Sequence, residues 1–223
     1  MIQNDLVVQS AALLERLNGL GFDILAEDDF EVIQAKVTHT GKEWQSPMFS
    51  LMRNDFTRGS AFWAFLMKDD VEVGGVAARY YDLRSESLES YLHRTSSAQY
   101  GGGDPAIESI AKPVSENIGG RLVYFGELYF TKAARGNIKV LSTFARLSVI
   151  LAAMSWPDFD WLYAFIPKEQ IRFADAYGFT YRLPKAITWK DPEPLGRRNS
   201  HVLIALSKSD FWHLLSSGEL SEL

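Results

Sequence analysis

The stretch ELYFTKAARGNIKV, Glu127 to Val140, puts a carboxylate, a phenol and an Arg-Gly pair into one strand, one turn and one helix start. The first amides of a helix have no partner inside it, so such a turn is a backbone cradle for a phosphate. The donors here are the N–H groups of roughly residues 136 to 140, with Arg135 and Lys139 adding positive charge. That geometry suits a pyrophosphate. Gly126 interrupts a β-branched and aromatic strand, which marks a bulge or a close backbone approach. Strand alternation sets Glu127 on the face of Val123, Phe125 and Tyr129. A carboxylate among such neighbours is partly desolvated and suited to accept a proton near neutral pH. The competing reading is a structural carboxylate near a strand end that reaches water or an arginine.

The elements that position this stretch can be read from periodicity. Leu6, Leu13, Leu14 and Leu17 recur at helical spacing before Asn18-Gly19, giving an amphipathic N-terminal helix over about 4–18. FEVIQAKV reads as a strand, and SPMFSLMRNDFTRG, with Pro47 near its start and Gly59 past its end, as a helix. AFWAFLM and VEVGGVAARYYDL form a hairpin whose first arm is covered on both faces. Residues 84–120, Ser- and Glu-rich and then Gly-rich, read as an insertion. Leu88, Tyr91, Leu92 and Thr95 make one semi-apolar face on its helix, so it is expected to cover one side of a cleft or a dimer partner.

RLVYFGELYFT is the next strand, followed by a helix from about Asn137 and the strand DWLYAFI. The face Val140, Phe144, Leu147, Leu151 and Met154 makes that helix a largely buried one. Pro167 opens a short helix ending at Gly178. Two strands follow, near Phe179 to Trp189 and His201 to Ser207, and a helix over Asp210 to Ser216 closes the chain. No internal repeat and no long linker appears, so one domain over 1–223 is expected. Its fold class is α/β, or α+β: a mixed, mostly antiparallel sheet of about six or seven strands with helices on both faces.

The 223 residues carry a net charge of −5 and no cysteine. Scattered Lys and Arg give no basic stripe, so nucleic acid is not an expected partner. The absence of cysteine removes disulfides, thiolate nucleophiles and Cys-ligated zinc. His39, His93, His201 and His213 show no ligand spacing, and no metal site is expected. No Gly-x-Ser-x-Gly or Walker-type loop is present. Asp5, Glu15 and Arg16 break a signal-peptide reading. Val140 to Met154 carries Arg146 and falls short of the roughly 18 to 20 residues a membrane span needs. A cytoplasmic protein without membrane contact is expected.

The order hairpin, bulged strand, Arg-Gly turn, buried helix, strand, short helix ending Gly-Phe and two strands resembles the GNAT-type N-acetyltransferases. ELYFTKAARGN is similar to their fourth-strand signature, in which the Glu lies about eight residues before the Arg-Gly, as Glu127 does before Arg135. IPKEQIRFADAYGF resembles their fourth helix and ends in the same Gly-Phe, Gly178 and Phe179. The match covers about residues 61–207, interrupted by the insertion.

The resemblance implies a GNAT-like domain that moves an acetyl or other acyl group from acetyl-CoA to a small-molecule or peptide amine. It also implies that Leu128, Tyr129 and Phe130 pair with the pantetheine arm. Arg135, Gly136, Asn137, Ile138, Lys139 and Val140 would hold the pyrophosphate, and Glu127 would be the catalytic proton acceptor. Ile138 and Val140 stand where the family has small residues, Pro167 where it often has a cofactor-contacting Asn, and Ala174 where it often has an acidic Tyr. Tyr177 is expected to face elsewhere on its helix, while Tyr163 and Tyr129 are substitutes. These departures favour a second reading, a catalytically degenerate GNAT-fold ligand-binding or interaction module. The acceptor amine and a homodimer are both left open.

Overall fold

The computed structural model describes residues 2–42, 45–50, 53–54, 56–100 and 102–220. The chain opens with α1 (Ile2–Gly19), β1 (Asp23–Glu27) and α2 (Phe30–His39), then the hairpin β2 (Ala61–Lys68) and β3 (Val71–Asp82). The insertion contributes α3 (Leu88–Tyr100), β4 (Ile107–Ile110) and α4 (Lys112–Asn117). The second half runs β5 (Arg121–Phe130), α5 (Ile138–Ser155), β6 (Trp161–Ile166) and a 3-10 helix (Lys168–Phe173). It ends with β7 (Tyr181–Pro184), β8 (Ile187–Trp189), β9 (Val202–Ser207) and α6 (Lys208–Ser217). Seven strands form the main sheet in the order β1-β2-β3-β5-β6-β9-β7, and β4 pairs with β8 in a separate ribbon. Among the described residues only the β5–β6 pairing is parallel; the others are antiparallel. This is the mixed, mostly antiparallel sheet expected from the sequence.

Both faces of the sheet are covered, which explains the unbroken apolar run of β2. Phe62, Ala64 and Leu66 point into one core with α1, α5 and α6. Ala61, Trp63 and Phe65 point into the other, with α2, α3, α4 and the β4–β8 ribbon. In α5, Val140, Phe144 and Leu147 are buried, whereas Met154 is exposed. The helix is long and apolar enough to cross a membrane by length and composition, yet it is the core helix between sheet and α1. Arg146, from its polar stripe, donates to the carbonyls of Ala176, Asp175 and Glu219, tying the chain's end to α5.

Three expectations change. FEVIQAKV is the helix α2: the Asp29 carboxylate accepts from the Glu31 and Val32 amides, and Ile33 and Val37, four apart, are its buried positions. Its β-branched content favours a strand by type, but the Asp29 cap starts a helix, and the strand is the preceding DILAE. In the stretch from Pro47 the described residues form turns, with Phe49 N donating to Ser46 O and Arg53 N to Ser50 O; Leu51, Met52 and Asp55 lie outside the described residues. The stretch Phe179 to Trp189 is two strands, β7 in the main sheet and β8 in the ribbon.

Gly126 is a close approach. A Cβ there would sit 2.6 Å from Phe49 Cε2, and the Phe49 ring is wedged against Tyr124 (5.5 Å, stacked) and Trp63 (5.2 Å, edge-on). The ring has nowhere to go. Gly126→Ala is therefore expected to destabilise by about 1–3 kcal/mol in denaturant unfolding. Adding Phe49→Leu should recover part of that loss; a neutral single substitution would contradict this packing.

Candidate functional site

The site begins where β5 and β6 part. They pair from Leu122–Trp161 to Phe125–Ala164 and no further, although β5 continues on its other edge against β3 as far as Phe130–Gly74. Beyond Phe125 one edge of β5 has no strand partner, so its backbone groups are open to a ligand. At the same level β5 carries one extra residue: Ala77 faces Gly126, while Gly75 faces Tyr129. This is the bulge that Gly126 announced.

The bulge reverses the expected face of Glu127. Glu127 adopts a left-handed backbone (φ +61°), a conformation that costs a non-glycine residue about 1–3 kcal/mol. Its side chain points away from Val123 and Phe125, toward Lys42 and Ser46. There the Lys42 ammonium donates to Oε2 and the Ser46 amide donates to Oε1 at 2.8 Å. The Glu127 side chain is 3% exposed. Lys42 also lies over the Tyr129 ring, 5.6 Å from its centroid. The carboxylate is thus paired with a partly buried lysine rather than an arginine. Simple alternation missed it because a bulge inverts the face of the residues it displaces.

Two cavities meet here. One, of about 410 Å³, is a groove lined by Leu128, Tyr129, Phe130, Arg135, Gly136, Asn137 and Ile138, with Gln170, Phe173 and Tyr177 opposite. Gly136 turns in a left-handed conformation (φ +87°) with open space around it. The amides of Gly136, Asn137 and Ile138 have no acceptor among the described residues. The Lys139 and Val140 amides, in contrast, donate to Asn137 Oδ1, the N-cap of α5. These two residues lie outside the groove, and Val140 is buried in the core. Arg135 Nε donates to Phe130 O at 2.7 Å, holding the turn against the strand end.

The second cavity, of about 360 Å³, lies in the gap between β5 and β6. It shares Leu128, Gln170 and Tyr177 with the groove, so the two are continuous. Val76, Phe125, Ala145, Val149, Ala164 and Ile204 make it apolar on the α5 side. Lys42, Ser46, Glu127, Arg197 and His201 gather on the other side.

Tyr177 does not face away. The 3-10 helix ends at Phe173, the α-helical phase is lost, and the ring lines both cavities; burial pushes its phenol pKa up. Tyr163 is fully buried and hydrogen-bonded to Tyr81, outside either cavity. Tyr129 lines the groove, but its hydroxyl is buried on the β3 side, against Gly75 and Thr40. Arg197 and His201 were missed: a lone His and an Arg-Arg pair in a Pro-rich loop carry no local signature. His201 is pushed toward its neutral form, first by burial and then by the charges of Arg197 and Arg198; its Nδ1 has no partner. Among the described residues no group of three or more His, Asp or Glu gathers at metal-binding spacing.

No protein-family model and no curated protein sequence matches the chain. Solved structures share its architecture. FeeM, an N-acyl amino acid synthase from uncultured soil microbes, is 14% identical, with 86% of this chain and 93% of that chain covered at a TM-score of 0.45. Arabidopsis thaliana NAA60 in complex with a bisubstrate analogue is 15% identical, with 82% and 98% covered and a TM-score of 0.45. An acyl-CoA N-acyltransferase from Pseudomonas aeruginosa is 11% identical, with 83% and 99% covered and a TM-score of 0.45. These values describe a distant likeness in the path of the chain; the chemistry of this site is read from its own residues.

Proposed function

We propose that the chain is an N-acyltransferase that takes its acyl group from acetyl-CoA or a related thioester and passes it to an amine. The observation that carries this reading is the continuous path from the Gly136–Ile138 amides, along the unpaired edge of β5, into the cavity beside Glu127. The open amides and Arg135 suit a pyrophosphate. The β5 edge at Leu128 to Phe130 suits the amide-bearing pantetheine arm, which would add to the sheet as a strand does. A thioester so placed supplies a carbonyl carbon open to attack by an amine, with a thiol as leaving group.

Each protein group then has one task. Glu127 accepts the proton that the amine loses, and Lys42 with the Ser46 amide fixes the carboxylate's position. Strand amides on the open β5 edge donate to the carbonyl oxygen as negative charge develops there. Tyr177, kept protonated by burial, gives a proton to the departing sulfur. No covalent bond to the protein is needed.

Acetyl-CoA at about 100 times its dissociation constant should stabilise the protein by about 2.7 kcal/mol in thermal melts, and Arg135→Glu should reduce the shift. No shift at millimolar acetyl-CoA would instead favour a binding module with an unused cradle. Glu127→Gln should lower turnover by about 10² to 10⁴-fold while leaving acetyl-CoA affinity unchanged. It also removes the carboxylate that Lys42 faces, so Lys42→Gln added to it should recover part of any lost melting temperature but not turnover. Recovery of both together would make Glu127 structural. Tyr177→Phe should slow turnover with acetyl-CoA more than with an activated thioester whose thiol leaves without a proton; equal slowing would remove Tyr177 as the acid.

A further inference from the structure

The polar wall of the inner cavity carries a charge that no described residue balances. Arg197 is 5% exposed. Its Nε donates to Tyr100 Oη at 2.8 Å, and one terminal nitrogen lies 3.3 Å from Tyr124 Oη and 3.0 Å from Met48 Sδ. All three partners are neutral, and among the described residues no carboxylate lies within ion-pair distance of it. A guanidinium stays charged at any physiological pH, and an unpaired charge in such surroundings is costly to hold.

The surrounding loop fixes Arg197 without neutralising it. Glu193 accepts from the Asn199 amide at 2.7 Å and lies 3.6 Å from Arg198. The Asn199 side chain in turn accepts from Trp189 N at 2.6 Å. Tyr100, from the last turn of α3, reaches across from the insertion. Of the charged residues lining the cavity, Lys42 and Glu127 pair with each other, which leaves Arg197 as the excess. Beside it, Ser46 Oγ and His201 Nδ1 are also without partners. One positive charge and two unsatisfied polar groups therefore face the same space.

We propose that Arg197 receives a carboxylate of the acceptor, so that the substrate is a free amino acid or another small molecule bearing both an amine and a carboxylate. The role of the amine rests on the acyltransferase reading; the anion site rests on the cavity's charge alone. With the carboxylate on Arg197, Ser46 Oγ can donate to it as well, and the ammonium end is left to the Glu127 side of the cavity. A molecule of this class neutralises Arg197 on binding, whereas a plain amine leaves it unbalanced.

The test is titration calorimetry of the whole protein, with and without coenzyme A, against the twenty proteinogenic L-amino acids, β-alanine and γ-aminobutyrate, each compared with its carboxamide. At least one acid should bind about 10- to 100-fold more tightly than its amide. Arg197→Met should erase that preference while leaving the melting temperature equal or higher, since it removes a buried unpaired charge. If that variant fails to fold, the acid-against-amide comparison on the parent decides alone. Equal affinity for acid and amide, no binding of any acid at millimolar concentration, or a preference that survives in folded Arg197→Met overturns the proposal. Thiol release from acetyl-CoA, read in parallel, separates the two claims. Acids and amides acylated at equal rates refute the anion site and leave acyl transfer standing. Acid-selective binding with no acetyl-CoA binding or turnover does the reverse.

Discussion

The parting of β5 from β6 after Phe125 and Ala164 is the constraint on which the rest of the site depends. A parallel pair buried between two helical layers would normally stay hydrogen-bonded along its length, because an open backbone edge inside a core leaves polar groups unsatisfied. Here the edge opens onto a cavity that runs to the α5 N-terminus. The sheet tolerates the split because each strand keeps its other neighbour: β5 holds β3 through Phe130, and β6 holds β9 through Ile166.

The split and the bulge act together. With one extra residue in β5, Glu127 turns into the space beside the opening rather than into the α5 core. The local backbone cost is offset by the bonds its carboxylate makes to Lys42 and the Ser46 amide. Phe49 closes this arrangement from outside, seated on the bare Cα of Gly126. Lys42 and Ser46, from the stretch before β2, thereby line the site on this side. On the opposite side Arg197 is held by Tyr100 from the insertion and Tyr124 from β5. Two buried charged groups thus frame one cavity, one paired with Lys42 and one without an ion-pair partner among the described residues.

Much of this was legible in the chain. The hairpin, the order of strands after it, the buried α5 and the Arg-Gly turn all rest on local patterns of apolar spacing, glycine and proline. The glycine inside β5 announced a bulge, yet its consequence for Glu127 was not legible, since face inversion depends on which residue the partner strand skips. α2 was misread because Phe30, Val32, Ile33 and Val37 favour strand by type while Asp29 caps a helix by position. Tyr177 was misplaced because α-helical spacing was extended over a 3-10 turn. Arg197 had no signal: its meaning comes from Tyr100, Tyr124 and Met48, which are far away in sequence and adjacent only in the fold.

Amide hydrogen exchange in the presence and absence of coenzyme A tests the central claim most directly, because the claim concerns backbone groups that have no partner among the described residues. Binding along the split should slow exchange at Gly136, Asn137 and Ile138 and at the amides between Leu128 and Phe130 that face the open edge of β5, and leave Lys139 and Val140, already capped by Asn137, nearly unchanged. Protection elsewhere on the surface, or none at saturating coenzyme A, would contradict the account.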